Sequence, residues 1–279
     1  MSDARQRHTT GFIEANGTRL YYEMLGEGHP LVLLHGGYMD TKMWDDQFVV
    51  FAEDYQVIRY DIRGHGKSKF PPMPYADYQD LYALLTSLGI EKTYLLGLSL
   101  GGMIAVDFTL EHPDMVDALV LVGAPVSGFP LELIYPTEEL LQQERQRRAP
   151  LSKAMHERNK PAIVEALMED ATLVPSPQYA AARERVREHL SIYSFAYFLE
   201  PATRQELVPG AYERLAEIHV PVLLIVGTDD HFHLHRIAET LEEKIVGARR
   251  ILIPETHHMP NMEDPEAFNQ IVLDFLKTL

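Results

Sequence analysis

The 279-residue chain has no cysteine, a single tryptophan and far fewer basic than acidic side chains. The absence of cysteine excludes disulfides, cysteine-ligated zinc and a thiol nucleophile. With 25 Lys and Arg against 41 Asp and Glu, the formal net charge is −16 at pH 7. Such a charge disfavours nucleic acid and anionic membranes as partners, so we expect a small molecule instead.

Long apolar runs are also missing. No stretch approaches the roughly 18 apolar residues that a membrane-spanning helix needs. The first ten residues are polar and lack the apolar segment of a signal peptide. Together with the lack of cysteine, these absences predict a cytoplasmic protein. The length suits one large α/β domain that carries an insertion.

What the sequence does have is a series of short apolar runs separated by turn residues. Several are nearly continuous Leu, Val and Ile, the pattern of strands buried on both faces of a parallel sheet. The runs are Leu20–Leu25, Leu31–His35, Val57–Asp61, Thr93–Leu98, Ala118–Gly123, Val222–Gly227 and Arg250–Pro254. Helical patterns alternate with them at Tyr75–Leu88, Leu100–Glu111 and Pro265–Leu276. This alternation predicts a doubly wound α/β fold, a mostly parallel sheet flanked by helices.

The alternation stops between residues 127 and 208. This segment is rich in Glu, Arg, Gln and Ala, with apolar residues at helical spacing. We interpret Glu138–Arg148 as the solvent-facing side of one helix and the aromatic residues at 193–198 as core. The prediction divides the chain into a core of residues 1–126 and 209–279 and a helical cap of residues 127–208.

A Gly-x-Ser-x-Gly motif lies in the segment Gly97-Leu98-Ser99-Leu100-Gly101, between a predicted strand and a predicted helix. In this context the motif predicts a sharp turn that exposes the Ser99 hydroxyl as a nucleophile. Gly97 and Gly101 have no Cβ, which lets the backbone cross closely there. The following helix directs its first N–H groups at a developing oxyanion, so we expect the N–H of Leu100 to be one donor.

A nucleophilic serine needs a base to take its proton. After an elbow of this kind, a carboxylate and then a histidine follow in the chain, each behind a late strand. Asp229 and Asp230 follow the sixth of the apolar runs, and His257 and His258 follow the seventh. The positions of these residues do not decide which aspartate is the acid or which histidine is the base.

Four motifs in this order resemble those of the α/β-hydrolase superfamily. They are His35-Gly36-Gly37, the segment Asp61–Ser68, the elbow at Ser99 and the segment His258–Pro265. Within the superfamily the chain is similar to the carboxylesterase, enol-lactonase and cofactor-free haloperoxidase group. The resemblance covers roughly residues 20–125 and 218–277. It implies the α/β-hydrolase fold and no cofactor, and we place the helical cap after the sixth strand of that fold.

The resemblance also implies which histidine is the base. The family places Pro two residues and Glu five residues after the catalytic His. Pro260 and Glu263 satisfy this spacing from His258, so we expect His258 to be the base. His257 stands where the family usually has Gly, a departure that could crowd the loop or tune the base.

The remaining site residues follow from the same resemblance. The family's acid comes three residues after the Gly that closes its strand, which from Gly227 is Asp230, with Asp229 as the alternative. The backbone N–H of Gly37 is expected to be the second oxyanion donor. Tyr38, which stands where lipase-like members have a third Gly, is a candidate for the pocket mouth.

Five other histidines have chemistry to consider. His35 and His65 occupy positions that resemble structural turn residues of the family, so we expect no catalytic role for them. His231, His233 and His235 alternate in a way that suggests a metal site, but one loop seldom holds an ion with three histidines. We interpret them as part of a solvated loop without a metal.

The resemblance implies a serine hydrolase that cleaves carboxylic esters of small molecules through an acyl-enzyme. The same triad serves lactonases, thioesterases and carbon–carbon bond hydrolases, and these remain alternatives. A cofactor-free perhydrolase and a triad-bearing small-molecule receptor also remain. The motifs are specific for the fold and much less specific for the substrate.

Overall fold

The computed structural model describes residues 8–170, 174–200 and 203–279. These parts of the chain contain eight strands: β1 (Thr9–Ala15), β2 (Thr18–Leu25), β3 (Pro30–Leu34), β4 (Gln56–Tyr60), β5 (Thr93–Leu98), β6 (Val116–Val122), β7 (Val222–Gly227) and β8 (Arg249–Ile253). They form one sheet in the order β1-β2-β4-β3-β5-β6-β7-β8. Strand β2 pairs antiparallel with β1 and β4, and all other pairs are parallel.

The predicted α/β architecture is confirmed, because all seven apolar runs form strands, β2 to β8. Strand β1 was not predicted. Its side chains alternate between exposed and half-buried, which hides it among the polar N-terminal residues. It joins β2 through Asn16 and Gly17, whose φ angles of 46° and 72° are typical of the tight hairpin turn that Asn-Gly favours.

Helices cover both faces of the sheet. In the described residues they are α1 (Asp45–Phe51), α2 (Asp77–Leu88), α3 (Leu100–Glu111), α4 (Leu131–Ile134), α5 (Glu138–His156), α6 (Lys160–Glu169), α7 (Ala180–Ile192), α8 (Ala196–Leu199), α9 (Ala211–Arg214), α10 (Phe232–Lys244), α11 (Pro260–Glu263) and α12 (Pro265–Leu276). Short 3₁₀ turns lie at Thr41–Trp44, Pro113–Met115 and Leu215–Glu217. Among these helices, none is both long enough and apolar enough to span a bilayer.

The sheet separates two apolar cores because alternate strand residues point to opposite faces. In β3, Leu31 and Leu33 pack in the cluster that contains α1 and α12. Val32 and Leu34 pack in the cluster that contains α2, α3 and α10. All four side chains are fully buried, which explains why β3 reads as a continuous apolar run rather than an alternating one.

The described part of residues 127–208 is helical. It contains α4 to α8 and a single isolated bridge between Tyr75 and Arg204. Buried side chains of α6 and α7, such as Leu167 and Leu190, belong to the same cluster as α1 and α12. This insertion therefore shares a core with one face of the sheet.

A buried ion pair ties the loop after β4 to α2. The guanidinium of Arg63 donates from Nε and Nη2 to the two carboxylate oxygens of Asp80, each at 2.7 Å. Both side chains are almost completely buried. Removing one partner of such a pair leaves a buried charge without compensation.

We therefore expect Asp80→Asn to lower the free energy of unfolding by about 3–5 kcal/mol. Denaturant unfolding followed by circular dichroism measures this change. Lys92→Gln is the control, because Lys92 pairs with Asp117 on the surface and its loss should leave the unfolding midpoint unchanged. Equal midpoints for wild type and Asp80→Asn would show that the buried pair does not stabilise the fold.

Candidate active site

The carboxyl ends of the parallel strands meet at one edge of the sheet, and every predicted site residue follows such an end. Gly37 lies after β3, Ser99 after β5, Asp230 after β7 and His258 after β8. The strand order reverses direction between β3 and β5. Open α/β sheets bind ligands at this kind of switch point.

Ser99 lies on the sharp turn between β5 and α3. Its φ and ψ angles of 52° and −114° are strained for a residue with a side chain. Its N–H donates to the carbonyl of Val122 at 2.8 Å, which holds the turn against β6. A strain of about 1–3 kcal/mol persists only where the surroundings enforce it, and such residues cluster at functional sites.

The two glycines of the motif are required by close backbone contacts. A Cβ on Gly97 would lie 2.4 Å from the carbonyl oxygen of Gly101, and a Cβ on Gly101 would lie 2.2 Å from that of Leu34. Neither space admits a methyl group. The first turn of α3 therefore packs directly on the ends of β3 and β5, as the motif predicts.

Asp230 and His258 form a buried hydrogen-bonded pair. Nδ1 of His258 donates to Oδ2 of Asp230 at 3.1 Å, and the N–H of His231 donates to the other carboxylate oxygen at 2.7 Å. Burial opposes the charged form of His258, but the charge and hydrogen bond of Asp230 outweigh it and raise the pKa of the imidazole. The arrangement can accept a proton at the free nitrogen, Nε2.

The alternative carboxylate does not contact this histidine. The side chain of Asp229 is exposed and accepts a hydrogen bond from Thr228 at 3.2 Å. Its backbone N–H donates to the carbonyl of Thr256, which helps to close the loop. Of the two adjacent acids, the structure brings Asp230 to the imidazole.

The loop that carries His258 is held on both sides. The N–H of His257 donates to the buried carboxylate of Glu263 at 2.5 Å. Burial and the nearby Asp230 charge raise the pKa of Glu263 to about 7. Nε2 of the buried Gln47 in α1 donates to the carbonyl of Asn261 at 3.0 Å. The loop is thus tied to the layer of α1.

A cavity of about 300 Å³ lies over this edge of the sheet, and both Ser99 and His258 line it. The other walls come from the loops after β3 and β6, from the end of α6, and from α5 and α10; they include Tyr38, Pro125, Arg147, Arg148, Leu151, Asp170 and His233. The site is therefore formed jointly by the strand ends and by the helical insertion, and Tyr38 lies at the cavity as the sequence suggested.

Gly37 and Leu100 flank the elbow from two sides. A Cβ on Gly36 would lie 3.0 Å from the Leu98 side chain, so the loop after β3 packs against the end of β5. Leu100 is the first residue of α3, where backbone N–H groups have no partner inside the helix. This geometry brings both segments to the Ser99 turn.

Most of Glu138–Arg148 lies on the exposed side of a helix, as interpreted, but Glu144 departs from this interpretation. Glu144 is buried and accepts hydrogen bonds from the guanidinium groups of Arg147 and Arg148. Burial raises its pKa, but the two guanidinium groups outweigh this effect and lower the pKa of Glu144 to about 2. Charge content alone did not indicate which face of the helix meets the core.

The solvated loop expected around His231 is wrong, because residues 232–244 form α10. The imidazole of His231 lies 3.5 Å from the Glu144 carboxylate, and His233 contacts His231 and lines the cavity. Burial and the neighbouring His231 lower the pKa of His233 to about 3, so its imidazole is neutral. Among the residues described, no group of three potential ligands could hold a metal ion.

His35 and His65 have structural contacts, as expected. Nε2 of His35 accepts the N–H of Ile62 at 3.0 Å, and Nδ1 of His65 donates to the carbonyl of Arg63 at 3.1 Å. Burial lowers the pKa of His35 to about 3. Both side chains support the loops below the site.

A strained serine between a strand and a helix, beside a buried Asp–His pair, defines a class of α/β enzymes with a nucleophile elbow. The chain belongs to the alpha/beta hydrolase family, whose sequence profile matches residues 31–271. The predicted α/β-hydrolase fold is thereby confirmed, and the protein is a hydrolase.

Three similar proteins illustrate the range of the family. The chain is 30% identical to the 2-hydroxy-6-oxononadienedioate/2-hydroxy-6-oxononatrienedioate hydrolase of Escherichia coli (strain K12), with 92% of this chain and 91% of the relative covered. The structure is similar to that of the esterase RhEst1 from Rhodococcus sp. ECU1013, with a TM-score of 0.78, 26% identity and coverage of 98% and 99%. It is also similar to the enol-lactonase from Burkholderia xenovorans LB400, with a TM-score of 0.75, 25% identity and coverage of 96% and 100%.

Gly123, at the end of β6, lies directly behind the Asp–His pair. Its φ angle is 49°, and a Cβ there would lie 3.0 Å from the His258 ring and 3.1 Å from Oδ2 of Asp230. Sequence reasoning missed this role, because a glycine at the end of a strand resembles an ordinary turn residue. The close approach leaves the pair little freedom to shift.

We expect Gly123→Ala to lower kcat by about 10- to 100-fold, because displacing the pair misaligns proton transfer. Gly247→Ala is the matched control, since Gly247 has a φ angle of 83° and no heavy atom within 4 Å of the added Cβ. Both variants carry a backbone penalty of about 1–2 kcal/mol. Thermal melts measure the loss of stability, and kcat measures the loss of catalysis, so the two effects are separated. Unchanged kcat in Gly123→Ala would contradict the tight packing.

Proposed function

We propose that the protein is a serine hydrolase that cleaves carboxylic esters of small molecules. Ser99 is the nucleophile, His258 the base and Asp230 the residue that orients the imidazole. One observation carries this proposal: the buried hydrogen bond of 3.1 Å between Asp230 and His258, with His258 lining the same cavity as Ser99.

The mechanism follows from the roles of these groups. Ser99 Oγ attacks the ester carbonyl carbon while Nε2 of His258 takes its proton. The resulting imidazolium is stabilised by the Asp230 carboxylate. It then gives its proton to the departing alcohol, which leaves an acyl group on Ser99. A water molecule repeats the sequence and releases the carboxylic acid.

The tetrahedral intermediates carry a negative oxygen. We propose that the backbone N–H groups of Gly37 and Leu100 donate to it. Such a donor contributes about 2.7–4 kcal/mol to transition-state stabilisation in comparable sites. The start of α3 at Leu100 adds the positive end of the helix dipole.

We also propose that residues 127–208 act as a cap that selects the substrate. Arg147, Arg148 and Leu151 of α5 line the cavity and would contact the substrate beyond its reacting carbonyl. The esterase and the enol-lactonase of similar structure support acyl-oxygen cleavage as the first candidate.

Carbon–carbon bond hydrolysis is the second candidate. The relative from E. coli is named for a 2-hydroxy-6-oxo dienedioate, a substrate whose cleavage breaks a carbon–carbon bond, and it matches the chain over nearly its full length. Arg148 at the cavity is compatible with such an anionic substrate, whereas Arg147 is already paired with Glu144 and Asp170. The same triad serves both reactions, so the substrate decides between them.

The nucleophile is tested with a panel of short p-nitrophenyl esters, lactones, thioesters and vinylogous diketones. We expect the wild type to turn over the esters with a burst of one p-nitrophenolate per active site. Ser99→Ala should lose at least about 10⁴-fold in kcat, since removing a triad serine costs that much or more. Ser191→Ala, on the surface of α7, is the control and should keep full activity.

The outcomes of the panel differ clearly. Retained ester hydrolysis in Ser99→Ala would disprove the assigned nucleophile. Turnover of the diketones alone would make carbon–carbon hydrolysis the function. A burst followed by no further turnover would indicate a receptor that retains the triad.

The orienting carboxylate predicts a specific pH dependence. Because Asp230 raises the pKa of His258 above its usual 6.5, kcat/KM should fall as pH drops through a value above 6.5. Asp230→Asn removes the charge, so the acidic limb of the pH profile of kcat/KM should move to lower pH while kcat falls about 10⁴-fold. Asp229→Asn should change neither. The reverse pattern would assign the orienting role to Asp229.

A further inference from the structure

A second, larger cleft adjoins the catalytic cavity. Its volume is about 950 Å³, against about 300 Å³ for the cavity that holds Ser99. Pro125, Arg148 and His233 line both spaces, so the cleft meets the cavity at these residues. Its size is typical of small-molecule sites. The catalytic mechanism does not use it.

The floor of this cleft is apolar. It is formed by Val126 and Phe129 after β6, by Ile134 and Tyr135 at the end of α4, and by Ile237 of α10. A surface of this kind favours contact with a hydrocarbon chain over contact with water. The floor can therefore hold the apolar part of a ligand.

The opposite wall is one face of α5. Arg145, Arg148, Lys153 and His156 line the cleft along about three turns of the helix, and Glu144 lines it as well. Three of the four carry a permanent positive charge. The protein as a whole has a net charge of −16, so this wall stands out as a local site for an anion.

The cations of this wall are loosely held. Arg145 lies 3.5 Å from Glu138 and Lys153 lies 4.0 Å from Glu157, and all four side chains are about half exposed or more. Ion pairs of this kind contribute little and exchange readily with another anion. The two cations are thus available to a ligand.

At the junction, Arg148 is oriented by the insertion itself. Its Nε donates to the buried carboxylate of Glu144. Among the described residues, no other acceptor takes a hydrogen bond from its terminal amino groups. Arg148 therefore presents these donors where the cavity and the cleft meet.

We infer that this cleft, which we call the α5 cleft, binds one limb of the substrate, an apolar chain that ends in a carboxylate. The inference rests on the proposed function and specifies its substrate class. Along the helix axis, Lys153 and His156 lie about 7.5 Å and about 12 Å from Arg148. A zigzag chain with bonds of about 1.5 Å advances about 1.25 Å per bond, so about six bonds reach Lys153 and about ten reach His156.

The test compares anionic and neutral esters of equal chain length. Monomethyl octanedioate is paired with methyl octanoate, which places the charge on the acyl limb. 8-Acetoxyoctanoate is paired with octyl acetate, which places it on the alcohol limb. We expect a higher kcat/KM for the anionic member of one pair, which identifies the limb that occupies the α5 cleft. No preference in either pair would overturn the inference.

The double variant Arg145→Gln/Lys153→Gln tests the origin of the preference. The ratio of kcat/KM for the anionic ester to that for the neutral ester should fall about tenfold, as expected for the loss of two exposed ion pairs. Lys92→Gln/Lys277→Gln removes the same charge elsewhere and should keep the wild-type ratio. An equal fall of the ratio in both double variants would mean that only the net charge matters, which overturns the inference.

Ionic strength and direct binding complete the test. Raising NaCl to about 1 M shortens the Debye length to about 3 Å and should reduce the anionic preference. If the wild type hydrolyses neither these four esters nor the p-nitrophenyl esters, the proposed function fails while the α5 cleft is still testable. Calorimetric titration of Ser99→Ala with octanedioate and octanoate then decides: tighter binding of the dianion supports the inference, and equal binding overturns it.

Discussion

The first turn of α3 packs on the carboxyl ends of β3 and β5 with no space for a side chain between them. This contact forces glycine at positions 97 and 101 and bends the chain so sharply that Ser99 adopts a φ angle of 52°. The serine hydroxyl then stands at the point where the sheet reverses its order. The roles proposed for Asp230 and His258 depend on the elbow, because it brings Ser99 to the same edge of the sheet.

Elements whose contacts are local or wholly apolar could be predicted from the sequence. Strands β3 and β5 are buried on both faces and read as continuous apolar runs, and α3 and α12 match their predicted bounds. Strand β1 could not be recognised by that rule, because it is an edge strand with one face towards solvent. Its only clear signal was the Asn-Gly dipeptide of the hairpin.

The site residues at the strand ends could be predicted from the sequence, whereas the residues that form the walls of the cavity could not. A motif and the order of elements lead to Ser99 and His258, because the parallel sheet brings strand ends together whatever lies between them. Arg148 and His233 line the cavity because α5 packs beside α10, and residues about 85 positions apart carry no common pattern in the sequence. The composition of α5 therefore suggested a solvent-exposed helix surface, although Glu144 is buried.

Glu144 also links α5 to the Asp230–His258 pair. Its carboxylate lies beside the imidazole of His231, the N–H of His231 donates to Asp230, and Asp230 accepts from His258. A substitution in α5 that displaces Glu144 is therefore expected to reach the Asp230–His258 pair through three contacts. Substitutions in the two regions are expected to be epistatic rather than additive. Laboratory evolution of this scaffold would have to select in both regions at once.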